Sequence, residues 1–363
     1  MNVVLRWFTR ILIGIVVFAI ALTATALVYG RVSEWRIAAA TRIDTPNGIE
    51  SLEDVEIGGV GQTIYLRGHD QNKPVMLFVH GGPGAPEMPA ARDFGLQLEE
   101  HFIVVHWDQR GAGNSCTSDV PDESLHLEQY LADTVELVNL LRKRFDVEKI
   151  YLVGHSWGSV LGVLAAQRHP ELFHAYVGIG QVVNMQRGED ISYRFVSDRA
   201  KAEGNEDALE ELATVHPPYS TTKELMTQRT WLGHYHGDSY KGGGVAKFAW
   251  AVLLSPEYSI DKKLSFYGCA MNSLDQAWDD LQDLDFIRDV TRLDLPVYFF
   301  TGRHDYNTPF ELVEEFSRTL DAPHNEIVWF EKSAHMPNLE EPELYQDNLI
   351  NKVLPETIRV QGS

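Results

Sequence analysis

Apolar positions along this chain follow three rhythms. The first is a block. Residues 11–30 carry no charge and include the run Ile11-Leu12-Ile13-Gly14-Ile15-Val16-Val17-Phe18-Ala19-Ile20. About twenty such residues, rising 1.5 Å each, span a hydrocarbon core. The second rhythm is a series of short apolar runs at 74–79, 102–107, 150–153, 175–180, 296–301 and 326–330. The run at 74–79 is apolar throughout and predicts a strand buried on both faces, and the others, predominantly apolar, read as strands too. Two further strand-like runs lie at 50–57 and 63–67. The third rhythm is helical. Leu127, Tyr130, Leu131, Val135, Val138 and Leu141 recur at a spacing that predicts an amphipathic helix over 127–144. Helices are also expected at 160–168, 309–320 and 343–354.

Strand alternating with helix predicts a mostly parallel sheet covered on both faces. The alternation stops between 182 and 288, where charge and aromatics rise and strand-like runs are few. That stretch reads as a mainly helical insertion. The expected organisation is therefore a membrane anchor or signal at 1–30 and a linker at 31–49. A first core part follows at 50–181, then a helical cap at 182–288 and a second core part at 289–363. No internal repeat or low-complexity segment is visible.

Charge and cysteine content narrow the picture. A net charge of -21 argues against nucleic acid as a partner and fits a solvated acidic surface. Cys116 and Cys269 are too few for a disulfide framework and sit in no metal-ligand spacing; sequence leaves their pairing open. The block at 11–30 is longer than the core of a cleaved signal, which favours an anchor, although Ala24-Thr25-Ala26 could serve as a cleavage site. Arg6 and Arg10 precede it and Arg31, Arg36 and Arg42 follow it. Both flanks are basic, so the positive-inside rule discriminates little; the charges ahead of the span favour an extracytoplasmic catalytic domain.

The candidate chemistry sits where strands end. Gly154-His155-Ser156-Trp157-Gly158 closes the run at 150–153 and opens a helix. Strand, sharp turn and helix is the context in which a G-x-S-x-G motif presents an exposed nucleophile. The close approach of strand and helix requires small residues two before and two after Ser156, and these are Gly154 and Gly158. A serine hydroxyl needs a base, and the base needs an orienting acid. Asp305 follows the strand-like run at 296–301, and His335 follows that at 326–330. In a parallel α/β sheet all three would collect at the carboxyl ends of strands. Two donors for a developing oxyanion are expected from the Trp157 N–H and the Gly82 N–H, the latter in His80-Gly81-Gly82-Pro83-Gly84. His80 is expected to fix that turn, and Asp108 and Arg110 to pair with neighbouring loops. His234-Tyr235-His236-Gly237-Asp238 has metal-like spacing without a further ligand cluster, and reads as a polar loop of the cap.

Three motifs together, His80-Gly81-Gly82-Pro83-Gly84, Asp108-Gln109-Arg110-Gly111-Ala112-Gly113-Asn114-Ser115 and Gly154-His155-Ser156-Trp157-Gly158-Ser159, resemble the proline iminopeptidase branch of the α/β-hydrolases. The resemblance covers roughly 50–182 and 295–354. It implies Ser156 as nucleophile, His335 as base, Asp305 as its orienting acid, and a helical cap over the pocket. It implies no cofactor and no metal. The expected activity is an aminopeptidase-like serine hydrolase working through an acyl-enzyme on small peptides or amides. The alternative is an ester hydrolase of the carboxylesterase or lipase kind. A free amine would be read by cap carboxylates, for which Glu189, Asp190 and Glu257 are candidates. His155 stands where iminopeptidases commonly carry Gly or Ser, and an N-terminal span is unusual among them.

Overall fold

Buried, β-branched and aromatic runs assemble into one eight-stranded sheet in a computed structural model that describes residues 3–355. Residues 1–2 and 356–363, at the outer ends of the expected anchor and of the second core part, lie outside the described residues. The strands are β1 (Ile49–Ile57), β2 (Val60–Gly68), β3 (Val75–Val79), β4 (Ile103–Asp108), β5 (Ile150–His155), β6 (Phe173–Ile179), β7 (Val297–Gly302) and β8 (Asn325–Phe330). Their order is β1-β2-β4-β3-β5-β6-β7-β8. β1 and β2 form an antiparallel hairpin that joins β4 antiparallel, and every later pairing is parallel.

Alternation along each central strand feeds two cores. Val75, Leu77 and Val79 of β3 join Val105, Trp107 and Leu152 on one face, beneath helices Leu127–Phe145, Trp157–Arg168 and Phe310–Thr319. Met76 and Phe78 point to the other face, with Phe94, Leu98, Tyr345 and Leu349. Both faces are covered, as continuous apolar runs require.

Between β6 and β7 the chain forms helices Met185–Glu203, Glu206–Leu212, Thr222–His234, Gly244–Leu254 and Ile260–Leu281. They lie beyond the carboxyl ends of the parallel strands. Cys269, on the last of them, is bonded to Cys116 in the loop after β4. The pairing that sequence left open therefore staples this helical segment to the sheet. A second seam joins the same parts, because the Tyr258 hydroxyl donates to both oxygens of Asp108 at 2.9 Å.

The N-terminal helix differs from the expected span and linker. It runs unbroken from Val3 to Ala40, past Gly30 and through most of the segment read as a linker. Arg31 pairs with Glu34 one turn on, and Glu34 is also held by Lys263 of the helical segment at 2.5 Å. A single glycine disfavours helix by only about 1 kcal/mol, which these contacts and the alanines at 38–40 offset. Its apolar portion is exposed throughout.

Candidate active site

Ser156 has φ 52° and ψ -118°, a conformation that L-residues rarely adopt, at the junction of β5 and helix Trp157–Arg168. Crowding enforces it. A Cβ on Gly154 would lie 2.3 Å from the Gly158 carbonyl oxygen, and one on Gly158 would lie 2.0 Å from that of Val79. The Ser156 N–H is anchored on the Ile179 carbonyl at 2.9 Å. Such strain persists only when neighbours over-determine it, and it is concentrated at functional sites.

Asp305 leaves β7 and His335 leaves β8, and the two meet. His335 Nδ1 lies 3.0 Å from Asp305 Oδ2. The backbone N–H groups of Asn307 and Thr308 each donate to Asp305 Oδ1 at 2.9 Å, and the Thr308 hydroxyl donates to Oδ2 at 2.7 Å. The carboxylate is 1% exposed, so its orientation is set by fixed donors rather than by water. Ser156 and Gly82 share the walls of two adjoining cavities of about 500 and 330 Å³. Trp157 lines the larger, and His335 lines the smaller. The five residues expected at the site thus come to one place.

Other residues build its frame. His80 accepts from the Gln109 N–H through Nε2 at 3.1 Å, and burial pushes its imidazole down to about 4. The Gln109 side chain donates to the His80 carbonyl and accepts from the Trp157 indole at 3.0 Å. One glutamine therefore couples the glycine turn after β3 to the helix after Ser156. Arg110 forms a buried bidentate pair with Asp133, at 2.6 and 2.9 Å, and Asp108 joins Asn114 and Tyr258. Asp108 is tied to neighbouring loops, as expected, whereas the partner of Arg110 lies within helix Leu127–Phe145.

His155 takes up a second role. Its Nδ1 lies 2.5 Å from Glu87 Oε1 and its Nε2 lies 2.9 Å from the His335 carbonyl, while Asn338 donates to the other Glu87 oxygen. Burial opposes charge on both groups, yet their mutual attraction prevails: the Glu87 carboxyl is held low and the His155 imidazole is raised. Glu87, Asn338, Gln109 and Thr308 were not legible as site residues. Only Thr308, three residues after Asp305, carried a local signal, that of an Asx-type turn.

The loop at 234–238 also reaches the site. The Gly237 carbonyl accepts from the Tyr306 N–H at 2.9 Å, and the Asp238 carbonyl from the His335 N–H at 3.2 Å. It clamps both loops by backbone. Among the described residues no group of three or more His, Cys, Asp or Glu side chains is arranged to hold a metal ion.

The cavity carboxylates differ in what they already hold. Glu189 lines the larger cavity but is bound by Arg229 at 2.8 and 2.5 Å. Asp190 is exposed, and Glu257 pairs with Arg92 outside both cavities. Asp238 lines both cavities and forms no salt bridge among the described residues. Burial raises its carboxyl above the usual range. Apolar side chains such as Leu225, Met226, Leu274 and Trp278 complete the larger cavity.

Comparison with known proteins agrees with this fold. The family described as alpha/beta hydrolase fold matches residues 74–220. A probable aminopeptidase, YbaC of Bacillus subtilis (strain 168), is 31% identical over 311 residues, covering 85% of this chain and 97% of its own. The crystal structure of a proline iminopeptidase of Mycobacterium smegmatis superposes with a TM-score of 0.60 at 18% identity, over 85% of this chain and all of that one. A structure described as a membrane phospholipase A superposes at 0.62 with 16% identity, over 96% of this chain and 99% of that one. The chain belongs to the α/β-hydrolases, resembles their proline iminopeptidase branch, and is a hydrolase.

Proposed function

We propose that the protein is a serine hydrolase in which Ser156 is the nucleophile, His335 its base and Asp305 the acid that orients His335. The observation that carries this is the His335–Asp305 hydrogen bond, with His335 and Ser156 lining the same cavity. In the first step His335 takes the Ser156 proton as the hydroxyl attacks the substrate carbonyl. The oxyanion is received by the Trp157 and Gly82 N–H groups. Trp157 opens a helix, where N–H groups lack intrahelical partners and the dipole favours negative charge. His335 then returns the proton to the leaving group, and an acyl-Ser156 intermediate remains for water to hydrolyse. His335 lines the smaller cavity, so that cavity would hold the leaving group and the larger one the acyl part.

The acyl part is read as the first residue of a small peptide or amide, with an apolar side chain against Leu225 and Trp278. Its free amine would pair with Asp238, which lines the larger cavity and forms no salt bridge among the described residues. The larger cavity supports this reading because Glu189, a carboxylate that could serve, is already neutralised by Arg229. Ester hydrolysis is the second reading, favoured by the apolar walls of both cavities. Proline β-naphthylamide and p-nitrophenyl esters separate the two. Ester turnover without any aminopeptidase activity would overturn the first. A fluorophosphonate probe should label the protein and spare Ser156→Ala; an unlabelled parent protein would overturn both.

The N-terminal helix is read as a retained single-pass anchor, with the hydrolase on the extracytoplasmic side of the membrane. The Cys116–Cys269 bond supports that side, because such bonds persist in oxidising compartments. Glu34 and Thr41 fix where the helix leaves the folded body. The first pairs with Lys263, and the second gives its carbonyl to Arg67 and its hydroxyl to Arg92, so the end of the helix is part of the folded body. N-terminal sequencing of the membrane-bound protein would decide; a start after Ala26 would overturn the anchor.

A further inference from the structure

The distance from the end of the apolar span to the body of the enzyme is short. Gly30 ends the uncharged stretch, and Glu34 follows four residues later, about 6 Å along the helix axis. Glu34 is joined to Lys263 near the start of helix Ile260–Leu281, and both side chains are nearly buried. The headgroup layer on each side of a bilayer is about 5–8 Å deep. The start of that helix is thereby held at headgroup depth, by an ion pair rather than a flexible tether.

The side chains presented there are apolar. Leu264 is 81% exposed, Tyr267 69% and Ile260 42%, at the spacing of one helical stripe. The adjoining helix Gly244–Leu254, which packs against both the N-terminal helix and Phe266, exposes Trp250 by 59% and Leu253 by 50%. Single exposed apolar residues are ordinary, but a group on adjoining helices marks an interaction surface. Tryptophan and tyrosine are the aromatics enriched at membrane interfaces. Charge agrees as well. In a chain of net charge -21, residues 241–254 contain two lysines and no acid.

The geometry points to a membrane-lying face: helices Gly244–Leu254 and Ile260–Leu281 rest on the bilayer that the N-terminal helix enters, with Trp250, Leu253, Leu264 and Tyr267 among the headgroups. The inner side of the first of these helices gives Val245 and Phe248 to the cavity walls. Val245 is also 75% exposed, at the mouth. An apolar substrate would pass from the membrane surface into the cavity beside it. The docking stands on the anchor being retained, and this route rests in addition on the hydrolase reading.

The test uses the full chain in phosphatidylcholine–phosphatidylglycerol vesicles. p-Benzoylphenylalanine is placed at position 250, at 264, or at 146, where Asp146 is exposed near the opposite edge of the sheet. Irradiation should give lipid adducts at 250 and 264 and none at 146. Adducts with a second copy of the chain in place of lipid, no adduct at all, or equal adducts at all three positions would each overturn the docking. The route is tested with Trp250→Asp combined with Leu264→Asp. Turnover of a vesicle-borne ester should be lost while that of a soluble p-nitrophenyl ester is retained. Equal loss on both would overturn the route. A parent protein that forms lipid adducts yet turns over neither ester would refute the hydrolase reading and leave the docking intact.

Discussion

The carboxyl edge of the sheet and the helical segment above it hold their side chains by different means. At the edge, main-chain groups do much of the orienting, beside side chains such as the Thr308 hydroxyl and the His155–Glu87 pair. Asp305 is fixed by two backbone N–H groups, Ser156 by a strained turn between two glycines, and His335 through its own N–H and carbonyl. Above the edge, side chains hold one another, as Glu189 holds Arg229 and Tyr258 holds Asp108. Backbone-fixed groups suit a step that tolerates little misplacement. Side-chain pairs can be exchanged one at a time, which suits selection among substrates. On the proposed function, the comparison places reaction at the edge and selectivity in the segment over it.

The strongest way to break that assignment is at the edge. Ser156→Ala should reduce kcat by about a millionfold on every substrate the protein accepts, and adding His335→Ala should reduce it no further, because such groups act as a unit. Asp305→Asn should cost about 10⁴-fold, again without regard to substrate. Steady-state rates on one amide and one ester check both. A loss confined to one substrate would mean that these residues select rather than react.

The same division decided what could be read from sequence. The strands announced themselves because burial on both faces demands predominantly apolar runs, and Ser156, Asp305 and His335 followed from strand ends. The network beneath them was not legible. Glu87 and Asn338 are 251 positions apart and meet only through packing. Gln109 stands in one of the motifs, but nothing local shows that its side chain joins the glycine turn after β3 to the helix after Ser156. The extension of the N-terminal helix to Ala40 was hidden because Glu34 finds Lys263 more than two hundred residues away. Above the edge, Glu189 was legible as a cavity carboxylate but not as a neutralised one, since nothing local marks Arg229 as its partner.

Attachment of the upper segment to the sheet comes next in size. Cys116→Ser with Cys269→Ser removes a link closing a loop of 153 residues. The expected loss is about 2–5 kcal/mol of unfolding free energy, read by denaturant titration. If the segment governs selection, KM should rise more than kcat falls. A drop in kcat alone would show that the edge depends on the staple.

A smaller effect separates the two regions within the cavity. Asp238→Asn should lower kcat/KM about 10- to 100-fold on substrates with a free amine, the range expected when a charge-assisted hydrogen bond is lost. Turnover of p-nitrophenyl esters should hold. Because the Asp238 carbonyl, not its carboxylate, meets His335, the substitution leaves the backbone clamp in place. Equal losses on amides and esters would move Asp238 from selection to the reaction itself.

The seam at Asp108 sharpens the comparison last, because there the edge and the segment above it meet through a titrating group. Burial raises the Asp108 carboxyl from 3.8 to about 7, against the hydrogen bonds it receives from Asn114 and Tyr258 and with added repulsion from Glu257. The folded state thus holds this proton more tightly than the unfolded chain. Its contribution to stability is complete below pH 3.8 and is lost as the pH rises through 7. Between those two values, unfolding free energy should fall with a slope approaching about 1.4 kcal/mol per pH unit, and above 7 it should level off. Asp108→Asn keeps the shape and removes the titration, so the slope between about pH 4 and 7 should flatten. Fluorophosphonate labelling of Ser156 should stay unchanged at pH 7 in that variant. A slope that survives the substitution would show that the pH response arises elsewhere than in this seam.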